Sequence, residues 1–122
     1  MPRDDRRAVA AAAAADAMCV LVFCAIGRRS HAEGITVAGV AETAWPFLAG
    51  TTLGWLATRA WRRPTTVAPT GIVIWLSTVV IGMLLRKATS AGTAFSFVVV
   101  ASLSTAILLL GWRLGARALA RR

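Results

Sequence analysis

The sequence predicts an all-α membrane protein: four transmembrane helices in a compact bundle, with both termini cytoplasmic. Three observations predict it. Of 122 residues, 57% are hydrophobic and only 16% are charged, where a soluble domain averages about 25% charged residues. The apolar residues fall into four runs, each near the roughly 20 residues that cross a hydrocarbon layer. The basic residues gather at the ends of those runs rather than on one continuous face. Four spans with short loops occupy nearly all of residues 1–122 as one membrane domain and leave no room for a soluble catalytic domain.

Span 1 covers about residues 8–27. Arg3, Arg6 and Arg7 precede it, and Arg28 and Arg29 stop it. A secretory signal peptide shares this charge pattern. Here the apolar part is long, Asp16 interrupts it, a double arginine follows at once, and Ser30-His31-Ala32 is a poor cleavage site. The run therefore reads as a retained helix. Span 2 covers about residues 43–60, with an uncharged core of only 16 residues, Thr43–Thr58. The preceding stretch Ile35–Ala41 is apolar too. Either the helix begins earlier, with Glu42 inside it and Pro46 leaving the Glu42 carbonyl without its helical partner, or a short interfacial segment precedes a break. Span 3 covers about residues 67–85. Pro64 and Pro69 stand at its start, where a missing N–H is harmless, and Arg86 and Lys87 end it. Span 4 covers about residues 94–112 without a charge, and Arg113, Arg117, Arg121 and Arg122 follow.

Orientation follows from Lys and Arg alone. Ten fall on the side that carries both termini and the loop between spans 2 and 3, against four on the other. The termini are therefore expected in the cytoplasm. The imbalance also argues against insertion in both orientations. Thirteen of the 14 basic residues are arginine, and alanine is abundant. That bias points to a high-GC bacterial source and to the bacterial inner (plasma) membrane. Trp45, Trp61 and Trp112 fall at span ends, where an interfacial aromatic belt places them. Trp55 and Trp75 lie deeper and read as packing residues. A net charge of +9 would point to nucleic acid in a soluble chain. Charges confined to span ends exclude that partner.

Asp16 is the most informative residue. It lies ninth in span 1, near the bilayer midplane, where a carboxylate costs about 2.5–3.5 kcal/mol. The flanking Val20, Leu21, Val22, Phe23 and Ile26 return only about 1.5–3 kcal/mol together. Span 1 therefore needs partners, and Asp16 should face the bundle interior, protonated or hydrogen-bonded to a Ser or Thr of spans 2–4. One reading makes it a proton or cation carrier. The other makes it a pin for helix packing. A second cluster sits on the outer face: Arg28 and His31 with Glu42 and Arg86. It reads as an anion or proton relay at the mouth of a path, or as a collar of snorkelling charges. Arg86 is expected near His31 or Glu42.

Other signals are weaker. Gly50-x-x-x-Gly54 in span 2 permits close helix contact, within the chain or between copies. Gly54-Trp55 and Gly111-Trp112 each close the second helix of a pair, 57 residues apart; this is a faint repeat or two cytoplasmic helix ends that look alike. Cys19 and Cys24 read as small apolar residues. One His without suitably spaced ligands gives no metal site. No nucleotide, hydrolase or zinc-protease motif occurs, so neither a cofactor nor an enzyme is expected.

Asp16, Phe23, Gly27-Arg28-x-x-His31, Pro46-Phe47 with Gly50, Trp75, Gly82-x-x-x-Arg86 and Trp112-Arg113 form a combined pattern. On it the chain resembles the membrane-protein family called domain of unknown function 3054, of actinobacteria and haloarchaea, over about residues 16–113. The resemblance implies a small multi-pass helical protein and brings no activity or ligand. Asp16 also echoes the span 1 carboxylate of small multidrug transporters, without their aromatic pattern. Gly92–Phe97 is similar to part of the fluoride-channel break. Both are analogies of fold. The expected function is a non-enzymatic accessory or assembly subunit, with a small oligomeric, proton- or ion-coupled transporter or channel using Asp16 as the alternative. The expected partners are the lipid bilayer and a homo-oligomer or larger membrane complex.

Overall fold

A computed structural model describes residues 3–30 and 35–121, with side chains from Asp5 to Arg28 and from Ile35 to Arg121. His31 lies outside the described residues. Among the described residues four α-helices form: α1 (Arg3–Ser30), α2 (Val37–Thr58), α3 (Ile72–Ala88) and α4 (Phe95–Ala120). No strand occurs among the described residues. Three stretches, Asp5–Arg28, Val67–Ala88 and Phe95–Ala120, are long and apolar enough to cross a membrane.

α2 resolves the ambiguity around Glu42. Thr36 is its N-cap: the backbone is extended there (φ −121°, ψ 155°) and the Thr36 side chain accepts from the Gly39 N–H. A side-chain acceptor of this kind satisfies one of the donors that a helix start leaves open. The helix therefore starts at Val37, and Glu42 and Pro46 both lie inside it. It ends at Arg59, which adopts the left-handed conformation (φ 52°) and returns its N–H to the last turn.

α3 starts later than the hydropathy suggests. A proline disfavours helical geometry in the residue before it, and Ala68, which precedes Pro69, is extended (φ −121°, ψ 131°). Residues 67–71 therefore form a wide turn, and regular helix begins at Ile72.

α2 and α3 make the tightest pair. A methyl group added at Gly50 would lie 2.5 Å from the Ser77 carbonyl oxygen, and one at Gly54 would lie 2.8 Å from the Ile74 Cα. The Gly50-x-x-x-Gly54 stripe is thus used within the chain. Ser77 Oγ donates across this contact to the Gly50 carbonyl at 2.6 Å, and the hydroxyls of Thr51 and Thr78 pair at 2.7 Å. The core continues as Val20, Phe23 and Cys24 of α1, Ala44 and Phe47 of α2 and Ala101 of α4. Phe23 meets Phe47 edge-on at 5.4 Å, and Phe97 of α4 completes an aromatic trio. Edge-on aromatic pairs of this kind add about 0.5–1.5 kcal/mol beyond their burial.

Candidate functional site

Asp16 of α1 is buried, 1% exposed. It faces the bundle interior, as the insertion arithmetic requires. Its partners, however, are not hydroxyls. Oδ1 accepts from Trp112 Nε1 and Arg113 Nη1, both at 2.8 Å. Oδ2 accepts from Trp55 Nε1 and Arg113 Nη2, both at 2.7 Å. Each carboxylate oxygen thus receives two donors, which fills the roughly four acceptor positions of a carboxylate. Arg113 and Asp16 form a bidentate pair in which both planar groups match in geometry.

Arg113 is 0% exposed and is the largest fully buried side chain. Sequence alone counted it with the charges of the C-terminal tail; the fold buries it. Two more of its five donors are used: Nε donates to the Pro64 carbonyl at 3.0 Å and Nη1 to the Leu109 carbonyl at 3.1 Å. Gly71 makes room for it, since a methyl there would lie 2.9 Å from the Arg113 Cδ. The turn before α3 therefore supplies both a carbonyl acceptor and the space for the side chain. The Arg113 guanidinium carbon also lies 4.5 Å from the Trp112 ring centre, within cation–π range.

The indoles take on specific partners. Asp16 bonds Trp55, which lies three residues before α2 ends. Trp112, half-buried near the end of α4, donates to the same carboxylate. Trp55 and Trp75 are hydrogen-bonded as well as packed: Trp75 Nε1 donates to the Ser102 carbonyl of α4 at 2.9 Å.

The outer cluster is only partly assembled. Arg86 Nε donates to the Gly92 carbonyl at 2.9 Å, and its guanidinium lies 4.6 Å from the Phe97 ring centre. It does not pair with Glu42, which is exposed on α2. Arg28 Nη1 donates to Thr43 Oγ1 at 3.2 Å. Arg28 and Arg86 nevertheless line one cavity together. Among the described residues no group of three or more His, Cys, Asp or Glu side chains is placed to hold a metal ion.

Trp112-Arg113 stood in the combined sequence pattern, but Arg113 was not read as the partner of Asp16, because an arginine just past an apolar run looks like a snorkelling end charge. A signal was present. The two halves of the faint repeat, Gly54-Trp55 and Gly111-Trp112, are the segments whose indoles converge on Asp16.

The class these features define is an all-helical bundle, closed by a buried carboxylate–guanidinium pair, with three helices long and apolar enough to cross a membrane. The particular family follows from the sequence. Residues 13–116 match the profile of the family described as "Protein of unknown function (DUF3054)", and the chain belongs to it. No curated protein and no solved structure is similar to the chain.

Proposed function

We propose that this protein is a four-span, non-enzymatic membrane protein that acts as an accessory or assembly subunit, with Asp16 as its internal pin and not as a proton carrier. The saturated carboxylate carries the reading. A proton carrier in a membrane needs access to water and a site for the proton. All four acceptor positions of Asp16 face Trp55, Trp112 and Arg113.

The four-span arrangement is supported by α2 itself. Its 22 residues extend about 33 Å at 1.5 Å per residue, close to the roughly 30 Å of a hydrocarbon core. It carries Glu42 and several threonines, which lower its apolarity. The hydroxyls of Thr51, Thr52 and Thr58 bond back to carbonyls of their own helix, so they bring few open polar groups into lipid.

The reading is tested in two arms. Reconstituted in proteoliposomes under a pH gradient, the protein is expected to carry no proton-coupled flux. Extracted gently from its native membrane, it is expected to co-purify with a defined partner in fixed ratio. Flux abolished by Asp16→Asn in a correctly folded variant, with no partner recovered, would establish the transporter instead.

A further inference from the structure

One face of α4 is apolar along its length and cationic at its end. Leu103, Ile107 and Leu114 are exposed on it, and Arg117 and Arg121 are exposed on the turns that follow. Spacings of three, four and seven residues put all five on the same side of the helix. The apolar part, Leu103 to Leu114, extends about 17 Å at 1.5 Å per residue, close to half of the roughly 30 Å hydrocarbon core. The two arginines therefore fall at the level of the headgroups of that leaflet.

Beside them lies a groove of about 280 Å³, lined by Ala116, Arg117, Ala120 and Arg121 of α4 and by Thr65 of the α2–α3 connection. A liquid water occupies about 30 Å³, so the groove has room for a phosphate group. Arg113 fixes its far wall: its Nε donates to the carbonyl of Pro64, the residue before Thr65, so the buried ion pair ties this connection to α4. Among the described residues the Arg117 and Arg121 guanidinium groups and the Thr65 hydroxyl have no hydrogen-bond or ion-pair partner. The C-terminus of α4 contributes about half a negative charge, which two full positive charges outweigh. Five more exposed arginines, on α1 and between α2 and α3, stand at the same end. Apart from Asp16, which Arg113 neutralises, the sequence sets only the carboxylates of Asp4 and Asp5 against them.

We propose that this groove binds the headgroup of an anionic glycerophospholipid, with its phosphate against Arg117 and Arg121 and an acyl chain along Leu114, Ile107 and Leu103. Guanidinium groups donate paired hydrogen bonds to phosphate oxygens, and the Thr65 hydroxyl supplies a further donor. The surrounding excess of arginine favours a lipid with net negative charge over a zwitterionic one. The apolar face of α4 favours a lipid over free phosphate, which would leave that face unused. The inference rests on the bundle spanning a membrane and not on its role as an accessory subunit.

The test uses the full chain purified in a maltoside detergent, with thermal unfolding followed by tryptophan fluorescence. Phosphatidylglycerol, phosphatidylcholine and inorganic phosphate are titrated separately. A ligand that binds only the folded state raises the melting temperature in a saturable way. Phosphatidylglycerol is expected to give that rise, phosphatidylcholine to require about tenfold more lipid, and inorganic phosphate to give none. The Arg117→Gln/Arg121→Gln variant should weaken phosphatidylglycerol binding about tenfold or more, and Thr65→Val about threefold. Arg6→Gln/Arg7→Gln removes an equal charge from exposed residues outside the groove and should change binding less than about twofold. Arg117→Lys/Arg121→Lys keeps the charge and serves if the glutamine pair fails to fold; it should bind with intermediate affinity. Equal losses from the two glutamine pairs would reduce the effect to diffuse charge and overturn the proposal. A rise with inorganic phosphate alone would overturn it in favour of a free anion. No lipid response from the folded protein would overturn it in favour of an acidic protein surface as the partner of these arginines. Recovery of the protein without detergent would refute the membrane reading itself, whereas recovery only in detergent with no preference for phosphatidylglycerol would overturn this inference alone.

Discussion

Asp16 and Arg113 neutralise each other where neither is exposed beyond 1%. Replacing a buried ion pair with apolar groups is often tolerated, whereas removing one partner strands a charge and costs about 3–5 kcal/mol. Arg113→Leu should therefore destabilise the protein by that order, measured by denaturant unfolding in mixed micelles. Asp16→Asn should also be costly, because an amide offers one acceptor oxygen to four donors and no charge to the guanidinium. The Asp16→Asn/Arg113→Leu double variant should be more stable than the sum of the two losses allows, which a double-mutant cycle detects. Additive losses would show that the pair contributes nothing as a pair. The sequence announced Asp16 through its cost in an apolar helix. It did not announce Arg113 as the partner of Asp16, because an arginine at a helix end has an inexpensive route to water and the fold shows that route unused.

At the scale of the helices, existence was legible and boundaries were less so. Each of the four apolar runs became a helix, because runs of that length in this composition have no other way to satisfy their backbone. α2 extends upstream to Val37 since the Thr36 cap, not the last charge, decides where it starts. α3 starts five residues past the first apolar residue of its run, at Ile72, since Pro69 makes Ala68 extended. The glycine stripe of α2 was visible but its partner was not, because two chemically small faces fit many surfaces. Its use inside the chain gives a prediction. At Gly50 an added methyl meets a backbone carbonyl that cannot rotate away. Gly50→Ala should cost about 1–3 kcal/mol, the range of overpacked cores. Gly111→Ala in α4, with nothing within 4 Å, should instead be neutral or stabilising by up to about 1 kcal/mol through helix propensity. Equal effects at both sites, read from thermal unfolding, would place the α2–α3 contact elsewhere.

At the scale of the whole molecule, the two ends of the bundle differ in charge, and this sets the expected orientation. One end carries Arg6, Arg7, Arg59, Arg62, Arg63, Arg117 and Arg121, all exposed. The other carries Arg28 and Arg86, both half-buried, with Lys87 exposed. Arg113 counted toward the first end on sequence alone; buried and paired, it no longer acts as a loop charge, yet the asymmetry survives without it. Positively charged loops are retained in the cytoplasm, so the arginine-rich end should lie there and the end carrying Arg28 and Arg86 on the opposite face. Single cysteines introduced at Arg63 and at Ser90, both exposed, report the two sides once Cys19 and Cys24 are replaced by alanine. A membrane-impermeant maleimide added to intact cells should label position 90 and spare position 63. Opening the membrane should then expose position 63. Labelling of both positions in intact cells would show two orientations, and labelling of position 63 alone would invert the topology. Either result would mean that the exposed arginines do not decide how this bundle inserts.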